Sequence, residues 1–223
     1  NANLYEVNLS NYTPEGTFAA FIEHLPRLKN MGVDVLIFLP IYNNSNLINV
    51  NPELGTIADF RLLVRAIHKA RMKIVMSFAD LQFLDLDNQQ KRKEVMDAMK
   101  YWTNSQDIDG YYITDADQIS ESFWSEVHTA LINTKQDILM LAGSQVQSLK
   151  EKNYFHADTG DELYSLLLDI ATRKKRPKDI VNWQSQSKRG KNKGFQIQYT
   201  SKSDVNNSKG ATNKTMGPAH NAL

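Results

Sequence analysis

The chain has 223 residues, 41% hydrophobic and 23% charged, which is enough for one sizeable core in a soluble globular domain. A net charge of +1 gives no electrostatic bias towards nucleic acid or a membrane surface. The absence of cysteine excludes disulfides and thiolate metal sites.

Apolar runs alternate with helical patterns along most of the chain. Leu4 to Leu9 reads as a strand. Thr13-Pro-Glu-Gly16 then opens a helix, with Thr13 as its cap and Pro14 at the first helical position. Phe18, Phe21, Ile22, Leu25 and Leu28 recur with helical period, and Gly32 ends that run. Val33 to Leu39 (VDVLIFL) is the second strand. Thr56 to Ala70 is a helix with Phe60, Leu63, Val64 and Ile67 on its inner face, and Lys73 to Phe78 (KIVMSF) is the third strand. Residues 90 to 104 form a helix carrying Val95, Met99 and Trp102. Gly110 to Thr114 is the fourth strand, a helix spans residues 120 to 134, and Ile138 to Ala142 is the fifth strand. A weaker strand at Tyr154 to Ala157, a helix over Leu163 to Ala171 and a seventh strand at Phe195 to Tyr199 complete the pattern.

Repeated strand–helix units with nearly continuous apolar strands predict an α/β fold with a parallel sheet covered on both faces. Seven units point to a (β/α)8 TIM-barrel type rather than an open doubly wound sheet. No glycine-rich phosphate loop is present. A barrel needs an eighth strand to close. The residues after Tyr199 are mostly Ser, Asn, Lys, Thr and Gly, enough for a loop and the start of a helix at Gly217–Leu223. The expectation is a single domain over residues 1–223, with its barrel incomplete at the C-terminus and cut before strand eight.

No run of about 18 apolar residues exists, so no membrane span is expected. The basic runs Arg173–Arg176 and Lys188–Lys193 lack interleaved aromatics and read as solvated loops, not a nucleic-acid patch. Asn1 opens the chain with neither a methionine nor an apolar segment, so a targeting segment has been removed or the chain begins inside a longer protein. Asn-x-Ser/Thr triplets at Asn8, Asn11, Asn43, Asn206 and Asn213 are expected by chance in so Asn-, Ser- and Thr-rich a chain.

Three stretches resemble a known family. YEVNLSNYTPEGTFAAFIEHLPRLKNMGVDVLIFLPI is similar to the first βαβ unit of glycoside hydrolase family 13, the α-amylase family. NPELGTIADFRLLVRAIHKARMKIV resembles its second helix and third strand, and DAMKYWTNSQDIDGYYITD its helix and fourth strand. The resemblance implies a (β/α)8 barrel with the site at the C-terminal strand ends. It implies a retaining α-glycosidase mechanism in active members, with a strand-four Asp as nucleophile, a strand-five Glu as acid/base and a strand-seven Asp as stabiliser. Retention requires two carboxyl groups about 5 Å apart. It slightly favours a secreted or periplasmic location.

Carried over residue by residue, the resemblance places substitutions at most of those seats. The third strand's pattern D-x-x-x-N-H falls on Ser77, Leu81 and Gln82. In the fourth strand, Tyr112 stands at the family's Arg and Thr114 at its nucleophile. Gly143 stands at the acid/base. The strand-seven pair H-D falls on Ser203 and Asp204, so Asp204 is the one catalytic-type residue retained. Asp115 follows Thr114 directly and, on a continuing strand, would face away from the barrel axis. Thr114 has no base beside it in sequence to activate its hydroxyl. Residues 43–50 and 83–90 are short where the family carries long substrate loops and an inserted domain, so that domain is expected to be essentially absent.

Asp80, Asp115, Asp117, Asp158 and Asp204 fall near predicted strand ends. They form either a rebuilt acid cluster or loop acids that cap helices and face water. Their spacing matches no metal loop, which favours the second reading and no metal or cofactor. His24, His68, His128, His156 and His220 are scattered; His24 and His68 read as partly exposed helix residues, and His156 falls in the sixth predicted strand. Tyr111, Tyr112, Tyr154, Trp124 and Trp183 could stack on sugars, but core or loop packing is the favoured reading. Tyr112 is expected to point into the barrel mouth and plug the vacated site, and with Gln82 and Ser203 it makes up the candidate substrate-binding set.

The expected function is a degenerate α-amylase-like barrel without glycosidase activity, acting in glucan binding or as a scaffold in a protein assembly. Its candidate partners are an α-glucan or oligosaccharide and a protein covering the open barrel edge. The alternative is an active retaining α-glucan hydrolase with replacement acids. A third reading, an unrelated (β/α) enzyme acting on a phosphorylated substrate, rests on Gly190, Gly194 and the nearby lysines.

Overall fold

The computed structural model describes residues 2–43, 46–189 and 195–199. The chain divides into two compact units, Asn1–Ser144 and Gln145–Leu223.

The first unit is built on β1 (Leu4–Val7), which leads into three short helices, α1 (Leu9–Tyr12), α2 (Phe18–Ile22) and α3 (Leu25–Asn30). The first strand is shorter than predicted, and the helix cap is Thr17 rather than Thr13. Thr13 Oγ1 accepts the Gly16 N–H (3.1 Å), which closes the Thr-Pro-Glu-Gly segment into a turn with Gly16 at φ +64°. Thr17 Oγ1 then accepts the Ala20 N–H (3.3 Å) at the true helix start. Phe18, Phe21, Leu25 and Leu28 are buried, as their spacing predicts.

β2 (Val35–Phe38) is followed by a small hairpin, β3 (Tyr42–Asn43) and β4 (Asn46–Val50), which the Asn-rich sequence did not announce. The Leu47 carbonyl in that hairpin accepts the indole N–H of Trp102 (2.7 Å). α4 (Ile57–Lys69) starts in a capping box: Thr56 Oγ1 accepts the Asp59 N–H and Asp59 Oδ2 accepts the Thr56 N–H. Its predicted inner face, Phe60, Leu63, Val64 and Ile67, is buried. β5 (Lys73–Phe78), α5 (Gln89–Ser105), β6 (Gly110–Ile113), α6 (Glu121–Ile132) and β7 (Leu139–Ala142) follow. Only a 3-10 turn, Leu81–Phe83, interrupts the connection from β5 to α5, so no domain is inserted there.

Five strands of this unit pair in parallel in the order β1-β2-β5-β6-β7. β2 and β6 are buried along their whole length, the mark of a sheet covered on both faces. The register places Ser77 beside Tyr112 and Ile113 beside Ala142. At the opposite, N-terminal ends, Asp109 accepts the Ile74 N–H (2.9 Å) and meets His68 Nε2 (2.9 Å), with Lys135 and Lys73 at 3.4 and 3.7 Å. The two acids that open the stretch Asp107–Asp115 therefore belong to the sheet's bottom.

The second unit contains α7 (Gln147–Glu151), β8 (Ala157–Thr159), α8 (Asp161–Ala171), α9 (Asp179–Arg189) and β9 (Phe195–Ile197). β8 and β9 pair in parallel, Ala157 beside Phe195. The sixth strand lies C-terminal to its predicted span because α7 ends in a left-handed residue. Asn153 has φ 62°, and the Tyr154 N–H returns to the Leu149 carbonyl (2.9 Å), so Tyr154 belongs to the helix cap. Tyr164 stacks on Tyr199 at a centroid distance of 5.0 Å, and Tyr199 Oη meets Asp161 Oδ1 at 2.6 Å.

Five parallel strands in the first unit and two in the second account for the seven strands expected of an α/β barrel sequence. An eighth is not among the described residues. No helix among the described residues is long and apolar enough to cross a membrane.

Candidate functional site

The candidate site lies in the first unit, where β5, β6 and β7 end. Ser77 and Tyr112 are register neighbours, so their side chains share one face of the sheet. Ser77 is fully buried and its hydroxyl has no hydrogen-bond partner. Tyr112 is 6% exposed, and Thr114, two residues on, is exposed. Gly143 follows β7 and is tied to β6 by its N–H to the Ile113 carbonyl (2.7 Å). A Cβ at position 143 would lie 2.9 Å from Tyr112 Oη, 3.1 Å from Tyr112 Cζ and 3.0 Å from Thr114 Cα. The Tyr112 ring thus occupies the space a longer side chain at 143 would enter.

β6 ends at Ile113, and Asp115 has φ −118° and ψ 29°. The strand alternation has stopped, and Asp115 turns inwards to 4% exposure. Its Oδ2 accepts the Gln82 N–H (2.7 Å), reaching from one strand end to the turn after β5. Its Oδ1 is buried without a partner. Burial raises this carboxyl above the usual carboxylate range; hydrogen bonds from the Gln82 and Asp115 N–H groups oppose the rise, and the charges of Asp80 and Asp117 add to it. Asp80 is exposed and left-handed (φ 64°) at the head of the Leu81–Phe83 turn. Asp117 is exposed, and its N–H bonds Ser144 Oγ (3.2 Å). Tyr42 from β3 closes the side, its hydroxyl accepting the Ala79 N–H (3.2 Å) and pushed up to about 12, mainly by burial. Tyr42 carries no motif and was missed by sequence reasoning; only its place after the second strand puts it here.

The other candidates take structural places. Asp158 on β8 is locked to Lys150 Nζ at 2.6 Å, both buried, and also accepts the Val146 N–H (3.1 Å). Tyr111 is fully buried with its hydroxyl on the Met99 carbonyl (2.5 Å), and burial pushes that phenol up. Trp124 is buried with its indole N–H on the Ala116 carbonyl (3.0 Å). His24 sits between α2 and α3, its ring edge-on to Tyr12, and His68 joins the Asp109 network. His128 is half-buried on α6, and His156 is exposed just before β8. Tyr154 and Trp183 are half-buried in the second unit. Ser203, Asp204, Gly190, Gly194, His220 and the triplets at Asn206 and Asn213 lie outside the described residues. Among the described residues, no group of three or more His, Asp or Glu side chains is placed to hold a metal ion.

Parallel strands joined by helices, paired in chain order β1-β2-β5-β6-β7, are the arrangement of the α/β-barrel class. Known proteins narrow this further. The sequence is 24% identical over 174 residues to malto-oligosyltrehalose trehalohydrolase of Saccharolobus solfataricus, covering 61% of this chain and 29% of that protein. It is 20% identical over 183 residues to maltogenic α-amylase of Bacillus acidopullulyticus, covering 56% of this chain and 31% of that protein. The structure is similar to an α-amylase from Lactobacillus plantarum (TM-score 0.72, 20% identity, 88% of this chain and 61% of the other). It is also similar to a maltogenic α-amylase from Thermotoga neapolitana (TM-score 0.74, 16% identity, 88% and 58%). No family model matches the sequence. The chain has the α-amylase-like fold of glycoside hydrolase family 13, and it spans about three tenths of the length of the curated relatives it matches.

Proposed function

We propose that this chain is an α-amylase-like barrel without glycosidase activity that serves in glucan binding or as a scaffold in a protein assembly. One observation carries the reading. The Tyr112 ring fills the space above Gly143, the seat that the resemblance gives to the acid/base, with Tyr112 Oη 2.9 Å from where a first side-chain carbon would stand. Glycine transfers no proton. Thr114, at the nucleophile seat, is exposed, with no general base assigned to it. Asp115 spends one oxygen on the Gln82 amide and buries the other. The matched relatives are named for malto-oligosaccharide and maltogenic activities, which makes an α-glucan the first ligand to try.

The test is calorimetric titration with maltoheptaose, with a reducing-sugar assay on the same sample. Binding without hydrolysis supports a glucan-binding role. Neither binding nor hydrolysis moves the reading to the scaffold role, with a protein partner as the target of search. Release of reducing sugar overturns the proposal in favour of a hydrolase with replacement acids.

A further inference from the structure

We propose that the turn between α8 and α9, Arg173–Lys178, docks the second unit onto an anionic lipid surface. The turn carries five cations among six residues, Arg173, Lys174, Lys175, Arg176 and Lys178 around Pro177, and all six residues are exposed. The whole-chain charge of +1 hides this concentration. Lys175 reaches Asp169 Oδ2 at 3.6 Å, a solvent-accessible pair of small worth. Among the described residues, no carboxylate pairs with the side chains of Arg173, Lys174, Arg176 or Lys178. The backbone beneath them is held in place. The Lys174 and Lys175 N–H groups both bond to the Asp169 carbonyl (2.7 and 3.1 Å), the Arg173 N–H bonds to the Ile170 carbonyl (3.0 Å), and the Arg176 N–H bonds to Asp179 Oδ2 (2.9 Å). Arg173 closes α8 in the left-handed region, at φ 63°.

The chemistry of the turn selects the partner. The N–H groups of residues 173 to 176 are spent within the chain and Pro177 has none, so the turn offers side-chain charge and no backbone cradle for a single phosphate. Long basic side chains without a cradle suit many anions spread over a surface. The second feature is apolar. The Val181 N–H closes on the Lys178 carbonyl (3.1 Å), which sets Val181 one turn beyond Lys178, and Val181 is 63% exposed. Ile180 beside it is half-buried. A nucleic-acid backbone has no use for that valine, and the one aromatic of α9, Trp183, is half-buried rather than presented for stacking on bases. A bilayer surface takes both features. Headgroup phosphates meet the cations, while Val181 and the aliphatic stems of the basic side chains settle below the headgroups. The contact is peripheral, since no helix among the described residues is long and apolar enough to cross a membrane.

The experiment is co-sedimentation of the whole chain with vesicles of phosphatidylcholine alone, and with about one third phosphatidylserine. Binding is expected only with phosphatidylserine, and it should fall at least tenfold as salt rises from about 0.05 to about 0.5 M. Each cation of the turn replaced by Gln should weaken partitioning about fivefold, and replacing Arg173, Lys174, Arg176 and Lys178 together should bring it to background. Val181→Ser keeps the charge and should weaken binding about fivefold to tenfold. Arg65→Gln with Lys69→Gln removes two exposed cations from α4 and should change partitioning less than twofold, which separates the turn from net charge. These positions are all exposed, so the variants stay folded. No sedimentation with phosphatidylserine vesicles overturns the proposal, as does equal binding to phosphatidylcholine or a loss in the α4 variant that matches loss at the turn. Displacement from vesicles by duplex DNA, with Val181→Ser behaving as wild type, overturns it in favour of nucleic acid.

Discussion

Tyr112 lies across Gly143, with its hydroxyl oxygen 2.9 Å from where a side-chain carbon at 143 would begin. Tyr112 is on β6 and Gly143 directly follows the neighbouring β7, so their sizes are coupled. Gly143→Ala is expected to cost about 1–3 kcal/mol, because Thr114 Cα on the other side belongs to the backbone and cannot swing away. Tyr112→Phe deletes the nearest atom and should relieve some of that cost. A double-mutant cycle in urea should return a coupling above about 0.5 kcal/mol. Simple additivity would mean the ring does not fill this space.

Gly110 meets a harder limit. A Cβ there would stand 2.4 Å from the Leu139 carbonyl oxygen and 2.6 Å from Leu139 Cβ, where β6 and β7 run side by side. Gly110→Ala must push these paired strands apart, and a loss of about 3 kcal/mol or more is expected. The urea midpoint, or the yield of folded protein, checks this.

Acid stability should depend on Asp109. Burial alone would raise this carboxyl, but the Ile74 N–H and the His68 hydrogen bond, with the charges of His68 and Lys135, outweigh burial and hold it below the usual range. The folded value lies below the unfolded one. Its contribution is therefore present above the unfolded carboxylate range and disappears as pH falls through the folded value. Asp109→Asn is expected to cost about 1.5–3 kcal/mol at neutral pH and to flatten the acid limb of the stability profile. Chemical denaturation at a series of pH values would expose a wrong sign at once.

In the second unit, Lys150 and Asp158 form a buried pair at 2.6 Å, with side-chain exposures of 1% and 3%. Lys150→Met leaves a buried carboxylate with only the Val146 N–H, and should destabilise by about 3–5 kcal/mol. The double variant Lys150→Met with Asp158→Leu should be more stable than the single one, since it leaves no buried charge behind. Thermal unfolding of the two variants side by side makes the comparison.

Local signals in the sequence were enough for the architecture. The period of Phe60, Leu63, Val64 and Ile67, the start of that helix at Thr56 and the apolar run Lys73–Phe78 each depend on residues within a turn or two, and each appears where its spacing places it. Competition between local signals misplaced others. Thr13 and Thr17 are both fit caps, and the helix starts at Thr17; left-handed Asn153 closes a short helix just before the stretch that reads as strand, and draws Tyr154 into the helix cap.

By itself, then, the sequence determined the alternation of strands and helices, hence an α/β fold of parallel strands. Tertiary structure alone decided what the strand-end residues touch. Asp115 turns inwards because β6 stops one residue before Thr114, and it finds the Gln82 amide only because β5 and β6 are neighbours. Tyr112 can lie over Gly143 because β6 pairs with β7 in a register that brings Ile113 beside Ala142. Helix and strand signals are short-range in the chain, whereas a site is assembled from strand ends that only the pairing of distant segments brings within a few ångströms.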